Sequence, residues 1–405
     1  MHAQRLIFCS LSAIFLFLGC VWNSGAEGSY LPLDDSEYPY AGIPRLVVET
    51  QNFKDIRNVD EYVTASMQIY GAVEPISEIQ GLKIRGRGNS SFTSSKFGYR
   101  LELDQKQTLL GMAADKDWVL VPNFTDKSLL RNSITHMLAQ RMDCGWLPKS
   151  EFVEVYVNRD YKGVYLLMEK IEVSKNRVDL GDYSVLAEVD HKYREGEQLV
   201  FSEDSTPFRI HFPKKASRSL LEEFENYINN FTEFLSENFT TESLQKWIDI
   251  DNFIQYYWIQ ELSKNPDGGF NTSVYFSWGK DLPILMGPLW DFDMAYGALY
   301  NRSAKGWFIR LKYWNENLFK NAEFKKMVDS VWLSNRERWM SVVDSIPFYG
   351  NRLRPAAENN FRRWPILKSS EILGYPTSSF SSYEEAVESF QNWIYERMEW
   401  IDSQI

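Results

Sequence analysis

Between Asn265 and Gly297 the chain reads NPDGGFNTSVYFSWGKDLPILMGPLWDFDMAYG, which gathers Asp267, Asn271, Asp291 and Asp293 into one short span. Asp267 lies in a Gly-bearing loop behind a long apolar helical stretch, where backbone can approach a ligand closely. A carboxylate there can accept a hydrogen bond from an attacking hydroxyl, and Asn271 adds an amide oxygen suited to a hard cation. Two short β-like runs follow, then Asp291 and Asp293, which point to the same side if extended and can share one divalent ion. This order of parts suits phosphoryl transfer. That chemistry asks for oxygen ligands that hold Mg²⁺ on the phosphates and a carboxylate that orients the nucleophile. Each part also has a plainer reading. Asn-Pro-Asp-Gly-Gly is strong turn chemistry by itself. A DxD pair occurs in solvated loops and in metal-dependent glycosyltransferases, although Trp290, Phe292 and Met294 argue against full solvation here.

A second group of residues suits phosphate. In Arg85-Gly-Arg-Gly-Asn-Ser-Ser91, the small residues Gly86, Gly88, Asn89 and Ser90 expose backbone amides beside Arg85 and Arg87. Lys96, next to the strand Tyr99–Leu103, can reach phosphate oxygens as a point charge, or stand as a solvated surface lysine. Glu169 closes the apolar run Val164–Met168 and Lys170 follows. That is the place for a strap between lobes that meets a base or ribose, or for a strand end at solvent. Arg131 and Asn132 read as a polar helix face or a contact between lobes.

The elements that must position these groups divide by pattern. From Arg45 to about His211 the chain alternates like β-structure, with Asn158-Arg159-Asp160 as a hairpin turn and one helix at about Lys127–Met142 capped by Asp126. From about Ala216 helical spacing dominates, at Leu220–Leu235, Leu244–Leu262, about Lys312–Asp344 and Tyr383–Ser403, interrupted by a hairpin at Ser273–Met286. The expected organisation is therefore α+β: a β-rich part over 44–212, a helical part with the candidate loops over 213–405, and a cleft between. The net charge of −11 disfavours nonspecific binding to nucleic acid or to anionic membrane.

The start of the chain reads as a targeting segment over 1–26, followed by a Gly/Ser/Pro-rich tether over 27–43. Arg5 precedes an apolar run from Leu6 to Trp22 that is short for a spanning helix. Phe17-Leu-Gly-Cys20 approaches a lipobox that would lipidate Cys20, while Ser24-Gly25-Ala26 offers a competing cleavage site. Any membrane attachment would be through this N-terminal anchor. With only Cys9, Cys20 and Cys144, and four His, neither a disulfide framework nor a Cys- or His-built zinc site is expected.

Several motifs in a fixed order resemble the CotH kinase family. They are GRGNSS at Gly86–Ser91, Lys96 with YRLEL, LLGM and DWVLVPNFTDKSLLRN within Leu109–Asn132, GVYLLMEKIE at Gly163–Glu172, ELSKNPDGGFNTSVYF at Glu261–Phe276, and GPLWDFDMAYG at Gly287–Gly297. The resemblance implies a two-lobed atypical protein-kinase-like fold, with a β-rich N-lobe and a helical C-lobe, that uses ATP and Mg²⁺ to phosphorylate protein Ser or Thr. By it Asp267 is the catalytic or acceptor-orienting Asp, Asn271 a Mg²⁺ ligand and Asp291 the principal metal carboxylate. Asp293 is a second metal or loop-fixing carboxylate, Lys96 contacts phosphates, and the Gly86–Ser91 loop lies over or beside the nucleotide. Two spacings depart from ordinary protein kinases: Asn271 follows Asp267 by one residue fewer, and the interval from Gly88 to Lys96 is shorter.

Two other classes stay open at the level of sequence: a surface adhesion or structural protein that keeps the fold without turnover, and a nucleotide-sugar-dependent DxD glycosyltransferase. Nucleotidyl transfer is a variation within the same cleft. Glycosylation of the sequons at Asn89 and Asn271 would block the candidate site, which favours a bacterial source over a eukaryotic secretory one. Export would remove the domain from the cytoplasmic ATP pool, so nucleotide is met before export, an extracellular donor suffices, or the domain has become a binding module.

Overall fold

The computed structural model describes residue 33 and residues 35–71, 76–88, 92, 94–300 and 302–405. The expected targeting segment, most of the tether's first half, and Asn89 and Ser90 of the basic loop lie outside the described residues.

Apolar–polar alternation builds the first part of the chain. β1 (Arg45–Thr50), β2 (Val63–Tyr70), β3 (Ile76–Arg87), β4 (Gly98–Leu109), β5 (Met112–Val121), α1 (Arg131–Gln140), β6 (Ser150–Val157) and β7 (Asp160–Glu169) follow in order. The seven strands close into a barrel in the order β1-β2-β3-β4-β5-β7-β6, and the parallel β1–β6 pair shuts it. Leu82, Ile84, Leu101, Leu103, Trp118 and Leu120 fill its interior. Because strand side chains alternate, the intervening Arg85, Arg87, Arg100, Val119 and Val121 fall on the outer face. The β6–β7 hairpin turns on Asn158 and Arg159, at φ 52° and 67°, the paired left-handed geometry of a two-residue turn. Helix α1 begins at Arg131 rather than Lys127. The Asp126 carboxylate binds the Ser128 hydroxyl at 2.6 Å and the Arg131 backbone N–H at 2.8 Å, which holds the intervening residues in a turn.

A second sheet is assembled from distant segments. β8 (Val185–Val189), β9 (Leu199–Phe201), β10 (Pro207–Phe212), β11 (Val274–Trp278) and β12 (Leu285–Met286) pair in the order β12-β11-β8-β10-β9. Strands from both sides of residue 212 thus share one sheet. Val185, Ala187, Val189, Phe208, Ile210, Val274 and Phe276 pack into the helical body. On the opposite face, register sets Arg209 and Tyr275 on either side of Glu188.

The helical body comprises α2 (Arg218–Ser236), α3 (Thr241–Leu244), α4 (Ile250–Ser263), α5 (Trp314–Leu318), α6 (Ala322–Asp344), α7 (Ile346–Arg363) and α8 (Tyr383–Asp402). A small hairpin of β13 (Glu371–Ile372) and β14 (Tyr375–Pro376) precedes α8. α4 is buried around most of its circumference, with Trp258 packed on Trp332 and Trp339 of α6. Glu261 of α4 and Arg397 of α8 form a fully buried ion pair at 2.5 Å. The chain is thus mixed α+β, β-rich first and helical second. Among the described residues no helix is long and apolar enough to cross a membrane.

Candidate functional site

Between the outer face of the barrel and the polar face of the second sheet lies a cleft of about 400 Å³. The barrel contributes Arg85 and Arg87 from β3, Arg100 from β4 and the apolar pair Val119 and Val121 from β5. Lys170, Ile171, Glu172 and Val173, just past β7, form one edge. The sheet contributes Glu188, Arg209, His211 and Tyr275, and the loops supply Asp190, Lys192, Arg194, Asp267, Asp291 and Asp293.

The acidic corner follows from local geometry. α4 ends on Lys264 in the left-handed conformation, and Asn265 turns the chain so that its Oδ1 accepts the Asp267 N–H at 3.2 Å. The same Asn265 donates through Nδ2 to the Asp291 carbonyl at 3.2 Å, tying the two acidic loops together. Asp291 has φ 66°, a region that Asp tolerates better than most residues. Its neighbour Phe292 is fixed by an N–H bond to Asn132 Oδ1 at 2.8 Å, and Asn132 in turn donates to Asn123 Oδ1 at 3.0 Å. Arg131 reaches the Ala295 carbonyl at 3.1 Å. The start of α1 therefore clamps the segment that carries the second acidic pair, a contact between β-rich and helical parts.

Electrostatically the corner is crowded. Burial and then the Asp291 charge push the Asp267 carboxyl up, against the pull of Lys192 and the Asn271 hydrogen bond. Burial and Asp291 push Asp293 to about 8, although Thr125 donates to it at 2.6 Å. Carboxylates held together in this way favour a compensating cation. The donors available are all hard oxygens, those of Asp267, Asn271, Asp291 and Asp293, which fit Mg²⁺. Among the described residues no cluster of three or more His, Cys, Asp or Glu forms a ready cage. The set suits an ion that keeps waters and takes further oxygens from a phosphate. Asn271 is exposed at the edge of the corner, outside the cleft wall, with its amide on Asp267.

The rest of the wall interleaves basic groups with Glu172, Glu188, Asp190 and Glu197. Arg87 is half-buried and its guanidinium lies 5.0 Å from the Trp290 ring centroid. Burial lowers its pKa, opposed by Asp291, Tyr275 and Glu188. Arg194 donates to the Gly88 carbonyl at 2.8 Å, which links the basic loop to the loop after β8. Arg209 pairs with Glu197 at 2.7 Å and approaches Asp190 at 3.5 Å. His211 Nε2 lies 2.6 Å from Glu188 Oε2. Burial pushes the Glu188 carboxyl up, but the His211 bond and the His211 and Arg209 charges hold it below the ordinary range. Sequence reasoning missed Lys192, Arg194, Glu188, Arg209 and His211. Alternation in Pro207–Phe212 was the available signal, since it places Arg209 and His211 on one side of a strand.

Three expectations for the phosphate side need correction. Lys96 does not reach the cleft. It is buried, and its ammonium donates to the Pro122 carbonyl at 2.7 Å, the Val164 carbonyl at 2.6 Å and Asn360 Oδ1 at 2.8 Å, leaving no N–H for phosphate. Burial also holds its pKa well below the usual lysine value. Glu169 is likewise buried, with Arg177 at 3.0 Å and the Lys149 N–H at 3.0 Å, so the edge it was expected to form passes to Lys170–Val173. Gly86 is a packing glycine: a Cβ there would stand 2.8 Å from the Asn58 carbonyl and strike the Phe92 ring. Arg87 and Gly88 do line the cleft.

Comparison with known proteins agrees with this arrangement. The inner spore coat protein H of Bacillus subtilis (strain 168) is 21% identical over 290 residues, covering 67% of this chain and 76% of the relative. The family described as CotH kinase protein matches residues 84–401, which takes in the barrel from β3 onward, the second sheet, both acidic loops and the helices. The chain belongs to the CotH kinase protein family.

Proposed function

We propose that this protein is an atypical kinase of two-lobed, protein-kinase-like design, which binds ATP in the cleft and transfers its γ-phosphoryl group to Ser or Thr of surface or extracytoplasmic proteins. The observation that carries the reading is the convergence of Asp267, Asp291 and Asp293 at one corner of a cleft whose wall also carries Arg85, Arg87, Arg100, Lys170, Lys192, Arg194 and Arg209. Val119, Val121, Ile171 and Val173 supply an apolar wall for a base. Arg87, Arg100, Lys192 and Arg194 are among the cations that line the cleft and would face polyphosphate. Asp291 and Asp293, with Asn271, would hold Mg²⁺, which when bound neutralises phosphate charge. Asp267 accepts a hydrogen bond from the acceptor hydroxyl and orients its oxygen for in-line attack. The loop tied by Asn265 fixes the distance between these two tasks. A surface location is supported by the spore-coat name of the relative and by the apolar N-terminal run.

The test is mass spectrometry of the mature chain after incubation with ATP and Mg²⁺, beside Asp267→Ala and Asp291→Ala, with a casein-like acceptor included. Phosphate on Ser or Thr from the unaltered chain alone supports the reading, and EDTA should abolish it. An added AMP moiety redirects it to nucleotidyl transfer. No change in any sample, together with no thermal shift at millimolar ATP, favours an adhesion or structural role.

A further inference from the structure

A second cavity, of about 140 Å³, lies behind the acidic corner and shares Thr125 with the main cleft. Its walls come from the turn before α1 and its first residue (Lys127, Arg131), the segment following the second acidic pair (Tyr296–Ala298, Arg302), and the chain after β14 (Thr377, Ser378, Phe380) with Ser389 and Trp393 of α8. The charged side chains in this wall are all cations. Arg131 is paired with Asp126. Lys127 is 2% exposed, and its ammonium donates to the Ser369 and Ser378 carbonyls at 2.6 Å each, with a third N–H left over. The Arg302 guanidinium rests on the Tyr300 and Phe308 rings and has no carboxylate partner among the described residues. A buried and a half-buried positive charge therefore line one partly open pocket, with no carboxylate among the described residues of its wall. Burial and then the Arg131 charge push Lys127 down to about 8, the direction expected of an uncompensated cation.

We infer that this cavity is a binding site for a tetrahedral oxyanion of the phosphate class, held by Lys127, Arg131 and Arg302. Its volume is several times the roughly 30 Å³ share of one water, which leaves room for such an ion. Guanidinium groups and a buried ammonium in one wall suit it in charge and in hydrogen-bond donors. The third Lys127 N–H and Arg131 Nη2, for which no hydrogen bond is found among the described residues, are the donors that this pair offers. The Thr377 hydroxyl is already committed to the Ala298 carbonyl at 2.8 Å, which closes one side. The oxyanion is either free inorganic phosphate or a phosphoryl group carried by Ser378 or Ser389 of this chain, both of which stand in the wall.

Thermal unfolding of the purified chain, with its intact mass recorded first, tests the assignment. Sodium phosphate replaces sodium chloride at constant ionic strength. The unfolding midpoint should rise saturably with phosphate. Arg302→Gln and Lys127→Met should each weaken the apparent affinity about tenfold or more, as loss of a charge-assisted hydrogen bond implies. Arg87→Met, in the main cleft, should leave the response in place. If the chain arrives already carrying a phosphoryl group and gives no response, phosphatase treatment should restore it, which assigns the covalent source. A flat response from the unphosphorylated chain overturns the site. So does a response lost with Arg87→Met and kept with Arg302→Gln, a half-exposed position whose replacement spares the core. These readouts do not depend on kinase activity.

Discussion

Asn271 donates its side-chain amide to Asp267 Oδ1 at 3.1 Å, and Lys192 approaches the same oxygen at 3.5 Å. Both partners therefore occupy one oxygen of the carboxylate, and no hydrogen bond to Oδ2 is found among the described residues. An incoming hydroxyl finds an oriented acceptor whose position is set by the loop. Replacing Asp267 with Asn keeps the shape and removes the acceptor strength. Phosphoryl transfer by Asp267→Asn should fall about 10²–10⁴-fold, measured as phosphate incorporated per unit time. Its ATP-induced thermal shift should persist, because the phosphate-facing cations are untouched.

Asn132 joins the start of α1 to the second acidic loop, accepting the Phe292 N–H at 2.8 Å. Asn132→Leu leaves that buried N–H and the Asn123 amide oxygen without their partner. The expected cost is about 1–3 kcal/mol in urea unfolding, with unchanged slope. Because the lost bond anchors the residue after Asp291, affinity for Mg²⁺ and ATP should weaken in the same variant.

How much of this was legible can be argued residue by residue. The acidic pairs were readable because Asp267 and Asn271 sit in one loop and Asp291 and Asp293 in another, so local spacing carries the signal. The β6–β7 hairpin was readable from Asn158, whose residue type tolerates the left-handed turn. Lys96 was misread because sequence cannot tell a surface lysine from one whose acceptors are carbonyls of β7 and the post-β5 loop and an Asn on α7, 264 positions away. The second sheet was hidden for the same reason: β8 pairs with β11 across an intervening pair of strands and three helices. Helix α7 was obscured by Pro347 in its first turn and Pro355 within it, although the first is a favourable position for proline and packing tolerates the second.

The buried Glu261–Arg397 pair should behave as an uncompensated-charge trap. Glu261 also accepts the backbone N–H groups of Phe308 at 2.9 Å and Arg310 at 2.8 Å and the Tyr257 hydroxyl at 3.4 Å, so with Arg397 its loss affects four donors. Glu261→Leu alone should destabilise by about 3–5 kcal/mol, since the Arg397 charge remains buried without its partner. The double variant Glu261→Leu with Arg397→Met should recover a substantial part of that loss in chemical denaturation. A purely additive double variant would show that the pair itself is unimportant and that the backbone contacts carry the effect.

His136 gives the clearest pH signature. It lies buried on α1, and neither ring nitrogen has a hydrogen-bond partner of ordinary geometry. Burial pushes its pKa from 6.5 to about 4, a shift only partly opposed by the nearby Leu289 backbone. The folded state therefore keeps the imidazole neutral where the unfolded chain takes up a proton. With the unfolded state binding more protons between pH 6.5 and about 4, stability falls as pH drops through that window and levels off below it. The full effect is about 3 kcal/mol, from roughly 1.4 kcal/mol per pH unit. Urea unfolding at a series of pH values, for the unaltered chain and His136→Leu, isolates this contribution because carboxylate titrations are common to both. The difference between the two stabilities should change in favour of the variant by about that amount as pH falls from 6.5 to 4. Parallel curves would mean that His136 titrates alike in both states, and so is reached by water or a hydrogen-bond acceptor in the folded protein.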